Sequence, residues 1–301
     1  MAITLLLYRL STIHLKVFVV KIIVFIAYWF LKNKRELSEK NLSEIFGEEI
    51  NKKQIKNILK GSYYEFWDDT FCLLPSIKDQ RALKRTNVIG IKHLQDAHKE
   101  GRGVILLESN DFGRRISGKQ ILHGMGFQLN QVHAEDHLLS GFTGGGNSDS
   151  WVRRHIVRPF FENGEKRFIQ EIIYFPKKSN SLVFARTLLD RLKRNGIICM
   201  AGGGLSGQKF IPIKFLSHSG IFATGIVSLA KMSSAPILPI FCIHGKDGKT
   251  NLIIERPILI SPDAGRENNL GNIILQYLNL LESYVKKYPE QYRNWHFSYL
   301  P

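Results

Sequence analysis

The chain has 301 residues, ordinary apolar and charged fractions, and three cysteines. That length holds one large or two small domains with a real core. The cysteines are far apart and no Cys/His cluster has metal spacing, which excludes a structural zinc and points to reduced, buried thiols. The charge is unusual: 42 Lys+Arg against 26 Asp+Glu leave +16, an excess that attracts anionic lipid headgroups or nucleic acid.

Met1–Leu31 contains no acidic residue, and Val17–Leu31 is apolar except for Lys21. As a helix that run is about 23 Å long, short of a hydrocarbon core of about 30 Å. Counted from Ile3, with Arg9, Lys16 and Lys21 snorkelling, a tilted span becomes feasible. The expectation is an uncleaved membrane anchor over residues 1–34 with its basic end in the cytoplasm. A helix lying in the interface is the rival, and a buried core helix is the third reading. Residues 35–301 then form a single α/β domain.

Glu36–Leu74 carries helical apolar stripes, with Asn51 placed to cap the second helix. Asp68 and Asp69 near its end read as a solvated face rather than a metal site. Asn87–Ile91 is a short strand and Lys92–Glu100 a helix stopped by Gly101. Val104–Leu107 has the unbroken apolar character of a buried parallel strand. Glu108, Ser109, Asn110, Asp111, Arg114 and Arg115 follow it at once. In open α/β sheets ligands bind beyond the carboxyl ends of such strands, so this cluster is a site hypothesis. The alternative is that these groups cap the next helix and are solvated.

A helix over Arg115–His123 and a strand over Gln128–His133 complete a βαβ unit. Its strands should be parallel neighbours, which brings the stretch His133–His137 (HAEDH) to the same sheet edge as Glu108–Asp111. Leu139–Asp149 is a glycine-rich loop without a phosphate-loop pattern. Trp151–Arg167 holds Arg153, Arg154, Arg158, Lys166 and Arg167: a binder of phosphate-bearing lipid or nucleic acid, or a solvated helix face. Asn180–Asn195 is an amphipathic helix, and Ile197–Met200 a strand running into AGGGLSG. Around Gly203 a ligand could approach the bare backbone, or the segment is a plain loop. Lys209–Leu216 is extended, Ser217 or Ser219 caps a helix over Ile221–Met232, and Ala235–Ile243 is a buried strand. Thr250–Glu255 closes a hairpin with it. Asn269–Lys287 is the last helix, and the aromatic tail PEQYRNWHFSYLP packs back on the body.

In this order the elements resemble the lipid A biosynthesis acyltransferases, within the wider lysophospholipid acyltransferase superfamily. The likeness rests on KRELSEKNLSEIFGEEINKKQI after the hydrophobic helix and on NVIGIKHLQDAHKEGRGVILL leading into the strand. It continues through IPIKFLSHSGIFATGIVSLAKMSSAPILPIFCI and closes on PEQYRNWHF, so it spans nearly the whole chain. It implies a mixed, mostly parallel central sheet flanked by helices (glycerolipid acyltransferase-like) with an N-terminal membrane-anchoring helix. It further implies acyl transfer from a thioester on acyl carrier protein or coenzyme A to a hydroxyl of a glycolipid or lysophospholipid. The implied location is the cytoplasmic face of the inner membrane, with membrane lipid as partner and neither cofactor nor metal.

The family's motif is His-x4-Glu/Asp directly after the strand, and here it is absent. Without a gap, Asn110 stands at the histidine position and Arg115 at the acid. With the family's Phe-Gly placed on Phe112–Gly113, Asp111 and Ile116 take those positions. The acidic residue of the second conserved block is also gone, where AGGG stands. Acyl transfer needs a base on the hydroxyl and donors for the oxyanion, and a carboxylate is a weak base at neutral pH. The first reading therefore relocates the base to His133 or His137, oriented by Asp111 or Glu135. Asn110 and backbone N–H groups near Gly113 hold the oxyanion. Arg114, Arg115, Arg153 and Arg154 take phosphates of acceptor or donor. The second reading is a non-catalytic relative that binds lipid. A third is a membrane glycosyltransferase using the Glu108 and Asp111 carboxylates, with or without a metal. Nucleic-acid binding is set aside, because the basic residues are spread through the chain and the hydrophobic N-terminus points to lipid.

Overall fold

Val104–Glu108 (β2) is buried along its whole length because it is sandwiched edge to edge and face to face. Its register runs Val104 against Ile197 on one side and Ile105 against Ile237 on the other, both parallel. The computed structural model describes residues 13–73, 86–134, 151, 155, 158–175, 181–202, 209–216, 218–245, 247–260 and 268–296. In chain order the other strands are Thr86–Ile89 (β1), Leu129–Ala134 (β3), Glu171–Phe175 (β4), Ile197–Ala201 (β5), Phe210–Phe215 (β6), His218–Ala223 (β7), Ile237–His244 (β8) and Thr250–Ile254 (β9). The seven-stranded sheet has the order β1-β9-β8-β2-β5-β3-β4. The run β8 to β4 is parallel. The β8–β9 hairpin reverses the direction, and β1 follows β9 in parallel.

The helices are Ile13–Phe30 (α1), Lys32–Phe46 (α2), Lys52–Thr70 (α3), Ile91–Lys99 (α4), Arg115–Gly124 (α5), Arg158–Glu165 (α6), Ser181–Lys193 (α7), Gly225–Ser233 (α8) and Asn268–Lys287 (α9). They cover both faces, as a mostly parallel sheet requires. Val104, Leu106, Ile197, Cys199 and Leu238 face Leu94 and Ala97 of α4 and Ile121 and Leu122 of α5. Ile105, Leu107, Ile198 and Ile237 turn the other way onto α7, α8, α9 and the α2–α3 pair. This two-sided burial is why the strands read as unbroken apolar runs. Asn51 caps α3 in a reciprocal box with Gln54: Gln54 N donates to Asn51 Oδ1 at 3.0 Å and Asn51 N donates to Gln54 Oε1 at 2.8 Å.

Four expectations are corrected. β2 and β3 are parallel members of one sheet but not neighbours, because β5 lies between them. Local patterning carries no information on strand order, and the crossover through α5 leaves a slot that Ile197–Ala201 fills later in the chain. The helix expected over Ile221–Met232 begins only at Gly225. Ser219 lies in β7, paired with Lys214 of β6 in an antiparallel two-stranded sheet, while Ser217 lies outside the described residues. Glu171–Phe175 is a strand that sequence reasoning passed over. Asp68 and Asp69 are buried rather than solvated.

α1 has two faces. Val20 and Val24 are buried among Tyr63, Tyr64 and Trp67 of α3, Phe71 just after it, and Phe160 of α6. Phe18, Ile22, Phe25, Ile26, Trp29 and Phe30 are exposed. Among the described residues no helix is long and apolar enough to cross a membrane.

Candidate functional site

The segment after β2 is held in an unusual path. Gly113 has φ +71°, and a Cβ there would lie 2.5 Å from Cys242 O of β8, so only glycine fits. The C-terminal tail runs antiparallel to this loop through the pair Phe112–Tyr292. Gly113 N donates to Gln291 O at 3.0 Å, Arg114 N to Cys242 O at 2.7 Å, and Arg293 N to Asp111 O at 2.7 Å. Arg293 Nη2 also donates to Gly113 O at 2.6 Å. Gln291 ties this tail to the end of β8, accepting from His244 N and donating to His244 O. The tail therefore packs back as expected. The amides of Gly113 and Arg114, assigned from sequence to an oxyanion, are spent on this backbone pairing.

Arg114 is also committed. Its Nε donates to Glu65 Oε2 at 2.7 Å and its Nη1 lies 2.8 Å from Asp68 Oδ2. Burial works against its charge, but Glu65 and then Asp68 hold its pKa far above the ordinary value. Asp69 accepts from Ile116 N at 3.0 Å, Ser117 N at 2.9 Å and Ser117 Oγ at 2.7 Å. α5 has no capping side chain of its own, and this carboxylate from α3 does the work at its N-terminus. Arg114 is thus a structural tie, not a free phosphate ligand.

The motif positions themselves still touch. Arg115 Nη1 donates to Asn110 Oδ1, so the residues standing for the family's histidine and acid form a contact that contains no base. Arg115 Nη1 also lies 3.7 Å from Glu108 Oε1, and Lys119 Nζ, one turn along α5, lies 3.1 Å from that same oxygen. Across β5, Gln131 Nε2 donates to Glu108 Oε1 at 3.1 Å. His133, on the same face of β3 two residues on, has Nε2 2.5 Å from Glu165 Oε2 of α6. Both partners are buried, at 6 and 1 % exposed.

The electrostatics follow from this packing. Burial pushes the Glu165 carboxyl up, but the His133 hydrogen bond and charge, with Lys119 and Arg115, overcome it and hold the pKa down at about 2. Burial opposes the Arg115 charge, yet Glu108 and Glu165 raise its pKa. Burial, then Glu108, raises the Cys199 thiol to about 12, so it stays protonated. A dense set of buried titratable groups at one sheet edge is a functional-site signature.

Sequence reasoning placed His133, Glu108, Asn110, Asp111 and Arg115 at one edge. The structure joins Glu108, Asn110 and Arg115 with Lys119 and Gln131 through direct contacts, and sets the His133–Glu165 pair within their electrostatic reach. Asp111 and Gly113 sit under the tail. Glu135, His137, Arg153, Arg154 and Gly203 lie outside the described residues. The partner of His133 is Glu165, which sequence reasoning missed. It sits 32 residues downstream on α6 in a charged stretch, and no spacing rule connects it to β3. Gly202, the first glycine of AGGG, has no room for a Cβ because the Tyr277 ring of α9 would lie 2.6 Å away. Among the described residues no three His, Cys, Asp or Glu side chains converge with metal-binding geometry.

A mostly parallel sheet with helices on both faces, and a buried polar network at the carboxyl ends of its strands, defines an open α/β fold with its candidate site at that edge. The chain belongs to the bacterial lipid A biosynthesis acyltransferase family, which it matches over residues 2–113 and 164–298. The match stops at Gly113 and resumes at Gly164, so the position of the family's histidine is matched, while Arg115 at the acid position, α5 and β3 with His133 fall in the gap. A comparison with curated proteins finds no match.

Proposed function

We propose that this protein transfers a fatty acyl group from a thioester on acyl carrier protein or coenzyme A to a hydroxyl of a glycolipid or lysophospholipid. The observation that carries this reading is the His133–Glu165 contact: a buried imidazole held by a carboxylate kept ionised, in a chain of this family. With Nε2 engaged by Glu165, Nδ1 is the nitrogen left to take a proton. His133 accepts the proton of the acceptor hydroxyl as its oxygen attacks the thioester carbonyl. The C–S bond then breaks, and the proton is returned to the leaving thiolate. Glu165 stabilises the imidazolium formed in between.

The outer face of α1 supports a membrane setting. Phe18, Ile22, Phe25, Ile26, Trp29 and Phe30 are exposed while the opposite face is packed on α3, and the chain carries +16. That combination suits a helix lying in a lipid interface of anionic charge, at the cytoplasmic face of the inner membrane. The test is transfer of a labelled acyl chain from acyl carrier protein to a glycolipid in vesicles. Wild type should transfer, and His133→Ala should not. A His133→Ala protein with full turnover would refute the assignment.

A second reading has its own support. The Asn110–Arg115 contact removes the base from the motif positions, and the nearby amides are engaged. A protein that binds acyl donor or lipid vesicles but transfers nothing to any hydroxyl would establish it as a non-catalytic relative.

A further inference from the structure

Three atoms of the polar network share one condition. Lys119 Nζ, Gln131 Oε1 and Glu165 Oε1 are sealed from solvent without a hydrogen-bond partner among the described residues. Their residues are 2, 0 and 1 % exposed. Lys119 Nζ is in ion-pair contact with Glu108 but without hydrogen-bond geometry. Native interiors rarely leave a buried polar group unmatched, because its desolvation is then uncompensated.

The three belong to adjoining side chains and are of complementary kind. Lys119 Nζ and Gln131 Nε2 each lie 3.1 Å from one atom, Glu108 Oε1, and Glu165 is held at 2.5 Å by His133, which stands on the same face of β3 two residues beyond Gln131. The ammonium can only donate, while the amide and carboxylate oxygens can only accept. One donor and two acceptors match a water molecule, whose oxygen takes the ammonium proton and whose two O–H groups reach the two oxygens. Buried waters make about three such bonds. A metal ion would be repelled by Lys119. An inorganic anion would be repelled by Glu165 and would meet the Gln131 oxygen.

We propose that Lys119, Gln131 and Glu165 together hold a single water molecule inside the protein. By anchoring Oε1 it fixes the plane of the Glu165 carboxylate, so that Oε2 stays on His133 Nε2; Lys119 and Gln131 are then positioning residues. The site itself does not depend on the transferase reading; only the use made of it does.

The test is a crystal structure of the full chain that orders buried waters, for wild type and for Lys119→Met, which keeps the length and removes the donor. Wild type should show one water within hydrogen-bond reach of all three atoms, and Lys119→Met should lack it. Gln131→Met serves as the second variant, with the same loss expected, should Lys119→Met not fold. A wild-type site that is dry, or that pairs Lys119 Nζ directly with Glu165 or Gln131, overturns the proposal. As a functional readout, Lys119→Met should alter the pH profile of turnover while leaving KM for the acyl donor unchanged. A water in place without acyl transfer leaves this site standing and removes the transferase reading. Transfer with a dry site does the reverse.

Discussion

Replacing Glu165 with glutamine tests the centre of the network through stability as well as turnover. The side chain keeps its shape and loses its charge. In the folded protein the Glu165 carboxyl lies at about 2 against an ordinary 4.5. At about 1.4 kcal/mol per pH unit, that interval of about 2.5 corresponds to about 3 kcal/mol favouring the ionised form in the fold, an order-of-magnitude figure. The folded pKa is depressed, so this stability is fully present above pH 4.5 and is lost as the pH falls from there toward 2. Glu165→Gln should therefore be less stable than wild type by about 3 kcal/mol near neutral pH, and the gap should close on acidification. Guanidinium unfolding of both proteins in mild detergent at a series of pH values measures it. A gap that stays constant or widens as the pH drops below 4.5 would refute the argument, because the carboxylate would then owe nothing to its His133, Lys119 and Arg115 surroundings.

Other expectations follow from the same contacts. Arg114→Met removes the guanidinium paired with the buried Glu65 and Asp68 carboxylates and should lower stability by about 3–5 kcal/mol, read as a fall in the unfolding midpoint; an unchanged midpoint counts against the tie. Gly113→Ala puts a methyl 2.5 Å from Cys242 O in a left-handed backbone, and strain of about 1–3 kcal/mol should appear in the same assay. Asn110→His together with Arg115→Glu restores an imidazole and a carboxylate at two positions already in contact. That double variant should transfer acyl groups faster than either single variant, and equal rates would show that the motif positions no longer face the acceptor.

Much of the architecture follows from local pattern. The runs Val104–Leu107 and Ile197–Met200, the capping box at Asn51, the hairpin of β8 and β9 and the last helix over Asn268–Lys287 were legible because two-sided burial, capping chemistry and a 3.6-residue period leave local marks. Short alternating segments were not. His218–Ala223 reads equally as a helix start, and only its pairing with Phe210–Phe215 makes it a strand.

The residues after β2 show the division most clearly. The sequence alone determined that the polar run Ser109–Arg115 follows a buried strand, that the family's histidine and acid are replaced, and that His133 ends a parallel strand of the same sheet. Only the tertiary structure decided that β5 separates the two strands, that Asp69 caps α5 from α3, and that Glu165 of α6 meets His133. Those pairings join elements far apart in the chain. Their partners are selected by which helices pack on which sheet face, and no local pattern of residue types records that choice.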